Sequence, residues 1–169
     1  FSEPWLGGKK PIYFSLSAYT QGSSTGQYYP KTSPYYNKLR INGIGGTLVK
    51  KLNWPDNYFQ LNYSLNFDHY NLDNYSGYLF QNGTSYNIKL TQELSRNSVD
   101  APIYPTSGSN IKLTLQATPP YSLFNNVNYR IATPEERYHF VEYYKWKFDA
   151  QWFSRITGKL VLMSQVRFG

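Results

Sequence analysis

The chain has 169 residues, no cysteine, a formal charge of +7, and 18 Tyr, 10 Phe and 4 Trp, yet its mean hydropathy is −0.59. That length is enough for one domain with a sizeable core. No run approaches the roughly 20 apolar residues that a membrane-spanning helix needs, so any membrane contact must be made by strands.

In chain order, residues 1–5 read as the end of a strand and 6–11 as a short turn. Ile12, Phe14, Leu16 and Ala18 then alternate with Tyr13, Ser15, Ser17 and Tyr19. Residues 39–52 are weaker, because Gly43, Gly45 and Gly46 interrupt the pattern and suggest a bend, a bulge or a close approach. The clearest strand follows: Phe59, Leu61, Tyr63, Leu65 and Phe67 share one side, and Gln60, Asn62, Ser64, Asn66 and Asp68 the other. Tyr86, Ile88, Leu90 and Leu94 oppose Asn87, Lys89, Thr91 and Glu93; Ile111, Leu113 and Leu115 oppose Lys112, Thr114 and Gln116. Tyr144, Trp146, Phe148 and Trp152 oppose Lys145, Lys147, Asp149 and Gln151; Leu160, Leu162, Val166 and Phe168 oppose Lys159, Gln165 and Arg167.

Connections alternate in length. Short turns are expected at 6–11, 53–57, 101–108 and 154–158, and longer Tyr/Asn/Ser/Gly/Pro-rich loops at about 21–38, 71–83 and 119–138. In an antiparallel meander this makes one end tight and the other shaggy, as in outer-membrane barrels with short periplasmic turns and long outer loops. Trp5, Trp54 and Trp152 lie beside short turns, while Tyr19, Tyr70, Tyr35, Tyr36, Tyr75 and Tyr138 lie at the other strand ends. The expectation is two aromatic girdles, with Trp5, Trp54, Trp152, Tyr19 and Tyr70 as their members.

These patterns predict an all-β fold, an antiparallel transmembrane barrel of outer-membrane type, with residues 1–169 forming part of one barrel domain. Seven to eight strands are visible, and since single-chain bacterial barrels use even numbers, part of a larger barrel is expected. Phe59, Leu61, Tyr63, Leu65, Phe67, Trp146 and Phe148 should face lipid. Asn62, Ser64, Asn66, Asp68, Lys145, Lys147 and Asp149 should face a wet lumen, so an arginine is expected to be costly at Leu65 and tolerated at Asn66. The rival is a soluble β-sandwich binding through its aromatic loops, whose apolar rows would pack on a second sheet.

Sites for chemistry are sparse. His69 falls in phase with the apolar row near a strand end, and His139 near a strand start; neither has partners at metal-ligand spacing. Glu135-Glu136 reads as a solvated loop end rather than an acid–base pair. Gly43-Ile44-Gly45-Gly46 lacks the following Lys-Ser/Thr of a phosphate loop, and no Gly-x-Ser-x-Gly elbow occurs. The basic residues stand singly or in pairs such as Lys9-Lys10, so no nucleic-acid partner is expected, and neither enzyme activity nor a cofactor is expected. The missing cysteines fit a reducing compartment or an envelope protein alike. No signal peptide is visible, and a start at Phe1 suggests a processed or partly covered chain.

Residues 1–11, Phe-Ser-Glu-Pro-Trp-Leu-Gly-Gly-Lys-Lys-Pro, resemble the strand-turn-strand signature F-x-E-P-W-L-G-G-K-P of the BamA family, the insertases of the outer-membrane barrel assembly machinery. Ile103-Tyr104-Pro105-Thr106-Ser107-Gly108-Ser109 is similar to that family's Y/F-F-P-T-x-G-S/T turn, with Pro105 and Gly108 as its fixed points. The run from Thr118 to Phe124 is similar to a loop of Bacteroidetes members, and the stretch from Lys159 to Gly169 resembles the strand before the family's Val-Arg-Gly-Phe loop. The resemblance implies the fourth to eleventh strands of a sixteen-stranded barrel in a Gram-negative outer membrane. Its implied partners are membrane lipids, client outer-membrane proteins and accessory subunits of an assembly complex. A porin or related translocation barrel is the alternative.

Overall fold

A strand that alternates apolar and polar residues still has to satisfy the backbone groups along both its edges, and here neighbours in sequence do so. The computed structural model, which describes residues 1–4, 12–125 and 127–169, forms one eight-stranded sheet in the order β1-β2-β3-β4-β5-β6-β7-β8. The strands are β1 (Ser2–Glu3), β2 (Ile12–Ser24), β3 (Lys38–Lys51), β4 (Phe59–Asp73), β5 (Gly83–Asn97), β6 (Gly108–Ala117), β7 (Tyr144–Thr157) and β8 (Leu160–Phe168). Every neighbouring pair is antiparallel. The sheet is open, a partial barrel wall of all-β class.

Each alternating segment forms a strand, but several run further toward the long loops than the apolar pattern does. β2 reaches Ser24, β4 reaches Asp73 and β5 begins at Gly83. Residues such as Gln21, Ser23 and Asn71 carry no hydrophobic signal there, while backbone pairing continues, as in Gln21↔Ile41 and Asn71↔Thr84. The glycines of β3 create no bulge, since its register against β4 is unbroken from Lys38↔Asp73 to Lys51↔Gln60. What they give is room. A Cβ on Gly43 would collide with the Tyr19 ring, and one on Gly45 with the Asn66 carboxamide.

Turns follow local chemistry. At the β5–β6 hairpin Gly108 has φ +106, and a Cβ there would strike the backbone of Ser98 and Val99, so only glycine fits. The β7–β8 hairpin turns at Gly158, with a register shift between Arg155 and Thr157. Among the long connections, residues 118–143 include a helical turn α1 (Pro134–Arg137) with a capping box: the Glu136 amide donates to Thr133 Oγ1 at 3.3 Å and the Thr133 amide to Glu136 Oε2 at 2.9 Å. This loop then runs beside β5, where the Tyr86 amide donates to the His139 carbonyl (2.7 Å) and the Val141 amide to the Tyr86 carbonyl (3.1 Å). It thereby pairs the part of β5 that β6, whose last partnership is Ala117↔Leu90, does not reach.

The interior is small. Among the described residues the buried apolar side chains are Tyr36, Leu72, Phe80 and Ala150. No second sheet packs on this one among the described residues.

Candidate functional site: a two-faced wall

The register sorts the side chains into two faces. Ladder partners such as Leu16↔Gly46↔Leu65↔Leu90 and Leu94↔Leu113↔Phe148↔Phe168 lie on the same side of a sheet, so the apolar rows of β2 to β8 merge into one face. Phe59, Leu61, Tyr63, Leu65, Phe67, Trp146 and Phe148 all stand on it. It is uncovered: Leu65 is 56% exposed, Ile44 60% and Trp146 51%. Gly46 opens a shallow groove of about 610 Å³ in it, lined by Phe1, Leu16, Ile44, Leu65 and Phe67.

The opposite face is polar and crowded. Tyr19 Oη donates to Asp68 Oδ1 at 2.6 Å with its ring across Gly43, and Asp68 is only 4% exposed. Thr47 and Ser64 hydroxyls pair at 3.0 Å, and Thr114 Oγ1 donates to Glu93 Oε2 at 3.4 Å. Lys112 meets Glu93 at 3.5 Å and Arg167 meets Asp149 at 2.7 Å. Ser85 and Asn87 are buried on this side as well. In a barrel wall the enclosed face is the inner one, and here that is the polar face, where Asp68, Ser85 and Asn87 are buried while Ile44 and Leu65 stand exposed on the other.

Two girdle expectations are corrected by this sorting. Tyr19 and Tyr70 lie in register with Gly43, Asp68 and Ser85, on the polar face, so neither ring belongs to an outward belt. Tyr19 follows the strand's polar phase, and Tyr70 stacks on Tyr78 of the β4–β5 loop at 5.1 Å. The rings gathered on the apolar face at the long-loop end are others: His69 on Tyr86 (4.8 Å), Phe67 on Tyr86 (5.8 Å), Phe140 on Tyr86 (5.5 Å) and Tyr121 on Phe140 (4.7 Å). At the tight end Trp152 stands on the apolar face, 40% exposed, and Trp54 projects from its turn, 82% exposed. Trp5 and the 6–11 turn lie outside the described residues.

The tight end is braced by side chains. Arg96 Nε donates to Asp56 Oδ2 at 2.8 Å and its Nη1 to Ser98 and Ser109, while the guanidinium lies over the Tyr58 ring at 5.6 Å. Asp100 accepts from the Thr106 hydroxyl (2.5 Å), the Thr106 amide (2.9 Å) and the Ser107 amide (3.2 Å), which hold its carboxyl well below the usual range. Arg155 reaches across to Thr106 Oγ1 at 2.6 Å. Pro105 and Gly108 thus sit in a turn whose closure depends on Asp100.

None of this is arranged for covalent chemistry. Among the described residues no group of three His, Asp or Glu side chains is placed to hold a metal, and no helix is long and apolar enough to cross a membrane. His69 is a stacking ring, and His139 approaches the Thr84 carbonyl through Nδ1 at 3.2 Å. Glu136 is the capping-box acid of α1, its carboxyl lowered by the Thr133 amide and hydroxyl, and Glu135 lies against Gly83. That box was readable as Thr133-x-x-Glu136, a signal that a strand-based reading of the pair passes over.

Comparison with curated proteins finds no match. The Omp85 superfamily domain, by contrast, matches residues 1–169, the whole wall just described, and the chain belongs to this superfamily of outer-membrane insertion and translocation barrels.

Proposed function

We propose that this chain is the middle of the barrel of a BamA-type insertase, in a Gram-negative outer membrane of the Bacteroidetes kind. The observation that carries the reading is the uncovered apolar face, continuous over β2–β8 and backed by a polar inner face. A 15-residue strand such as β4 is roughly 50 Å long and, tilted about 40°, rises roughly 38 Å, more than the ~30 Å of hydrocarbon it must cross. The surplus at the long-loop end carries the row Gly22↔Arg40↔Asn71↔Thr84, in phase with the apolar face, beyond the apolar band.

In this reading Phe59, Leu61, Tyr63, Leu65, Phe67, Trp146 and Phe148 contact lipid, and Trp54 and Trp152 sit at the periplasmic headgroups. The work is mechanical. The wall keeps lipid apart from a wet lumen and gives gate strands elsewhere in the barrel a fixed frame, so that client strands pair before their backbone meets hydrocarbon, where each unsatisfied group costs several kcal/mol. No cofactor takes part; the partners are lipids, client barrels and accessory assembly subunits. The turn around Pro105 and Gly108 supports the finer assignment, because its glycine conformation and carboxylate clamp give the motif a physical reason.

The test uses the full-length protein in phospholipid vesicles given an unfolded client barrel. Faster appearance of the heat-resistant client than in vesicles holding an inert barrel is expected. No acceleration refutes insertase activity, and delivery of client into the vesicle interior would instead mark a translocation barrel.

A further inference from the structure

Charge is spread unevenly over the inner face. On β2–β4 the inward strand positions hold mainly hydroxyls and amides, with Asp68 bound to Tyr19 and Lys51 at the tight end. On β5–β8 Glu93 and Asp149 are each matched by a cation, Lys112 and Arg167. Lys89, Lys145, Lys147 and Arg155 remain, none with a carboxylate within ion-pair distance among the described residues; Arg155 is held at the tight end by Thr106 Oγ1, which leaves the three lysines. They share the inner face through the rows Lys89↔Asn66, Thr91↔Gln116↔Lys145 and Glu93↔Thr114↔Lys147.

We infer that Lys89, Lys145 and Lys147 form a docking surface for an acidic, extended polypeptide segment inside the lumen. Lys145 and Lys147 are two residues apart on one strand, about 6.7 Å, which is also the spacing of alternate side chains on any extended chain. Lys89 lies two strands away and one inward position from the Lys145 row, about 12 Å from Lys145. Spread over about 12 Å and more of the wall, the three cations match carboxylates distributed along four or five extended residues better than they match one small anion. Gln116, Thr91 and Thr114 lie between them and offer neutral hydrogen-bonding partners. Three like charges on one wall repel one another, and low-dielectric walls focus their field, so a matched polyanion is drawn in and relieves the repulsion. Lipid phosphate is disfavoured as occupant because these side chains stand on the face opposite the apolar one. The inference rests on the barrel reading, in which that face lines a closed lumen.

The test places the full-length protein in nanodiscs and titrates dye-labelled hexaglutamate, with hexalysine as control; heat-shifted gel mobility reports whether each variant forms the barrel. Saturable binding that weakens with salt is expected, lowered about tenfold in K145Q/K147Q and unchanged in K50Q/K51Q at the tight end of β3. A folded barrel that does not bind hexaglutamate overturns the inference. So does K145Q/K147Q binding like the parent, or inorganic phosphate at equal charge concentration competing as well as unlabelled hexaglutamate. A chain without heat-shifted mobility overturns the barrel reading and this inference with it.

Discussion

Arginine in place of Leu65 measures what lies against the apolar face. Leu65 stands between Gly46 and Leu90, six residues along β4 from Phe59. Phe59 marks the tight-turn end of the strand, since Arg96 there reaches Asp56 in the adjoining turn. Six residues at ~3.4 Å, tilted about 40°, place Leu65 some 16 Å above that level, close to the middle of a ~30 Å core. A guanidinium at the midplane costs about 2–4 kcal/mol, which lowers the folding equilibrium roughly 30- to 900-fold. Asn62→Arg is the cleanest control: its side chain would enter the polar face opposite Glu93, and a change within about 0.5 kcal/mol is expected. Asn66→Arg is less neutral than the sequence suggests, because Asn66 faces Lys89, and opposed like charges cost up to about 1 kcal/mol. Urea-titrated folding of the full-length protein into phospholipid vesicles, followed by heat-modified gel mobility, gives the three values. An L65R penalty no larger than that of N62R would mean that this face does not lie in hydrocarbon.

Gly108→Ala forces a side chain into φ +106 and into the backbone of Ser98 and Val99, so a loss of about 1–3 kcal/mol or more is expected, whereas Gly158→Ala, with φ +48 and open space around it, should cost about 1 kcal/mol in the same urea titration. Tyr19→Phe removes the hydroxyl donated to nearly buried Asp68 and should cost about 1–3 kcal/mol. In Asp68→Asn the same change should cost less, and additive effects in this double-mutant cycle would show that the two do not interact. Asp100 supplies a pH dependence. Its folded-state pKa is depressed by the Thr106 hydroxyl and the Thr106 and Ser107 amides, so its contribution is complete above the ordinary carboxylate value near 4 and fades as pH falls through the lower folded value. Asp100→Asn should abolish that acid-range component of stability, and an unchanged acid profile would refute the clamp.

The strands were legible because each needs only a period of two, and residues 58–70 state it in full. The faces of individual aromatics at strand ends were less so. Tyr19 and Tyr70 occupy strand-end positions where a girdle is expected, but their phase is that of Ser17 and Asp68, and phase decides the face. Counting two residues back from each ring would have found this. The real outer cluster joins Tyr86 and His69 to Tyr121 and Phe140, which lie more than 30 residues further along; that meeting depends on how the 118–143 loop folds back, and no local pattern encodes it. The split of the inner face into a half poor in charge and a cationic half was likewise hidden, since Lys89, Lys145 and Lys147 are scattered in sequence and gathered only by register.

The two ends of the wall are held by different means. At the tight end the braces are charged and hydroxyl side chains that tie successive turns together: Asp56 to Arg96, Arg96 to Ser109, Thr106 to Arg155. At the loop end they are backbone and rings: residues 139–141 paired to β5, Asn74 Nδ2 donating to the Pro34 and Tyr36 carbonyls, and the stack around Tyr86. Between them the ladder and the inner-face pairs such as Tyr19–Asp68 and Thr47–Ser64 act, while on the outer face no described residue covers Leu16, Ile44 or Leu65. In water such a sheet would expose an apolar face and associate, whereas in a bilayer the lipid completes it.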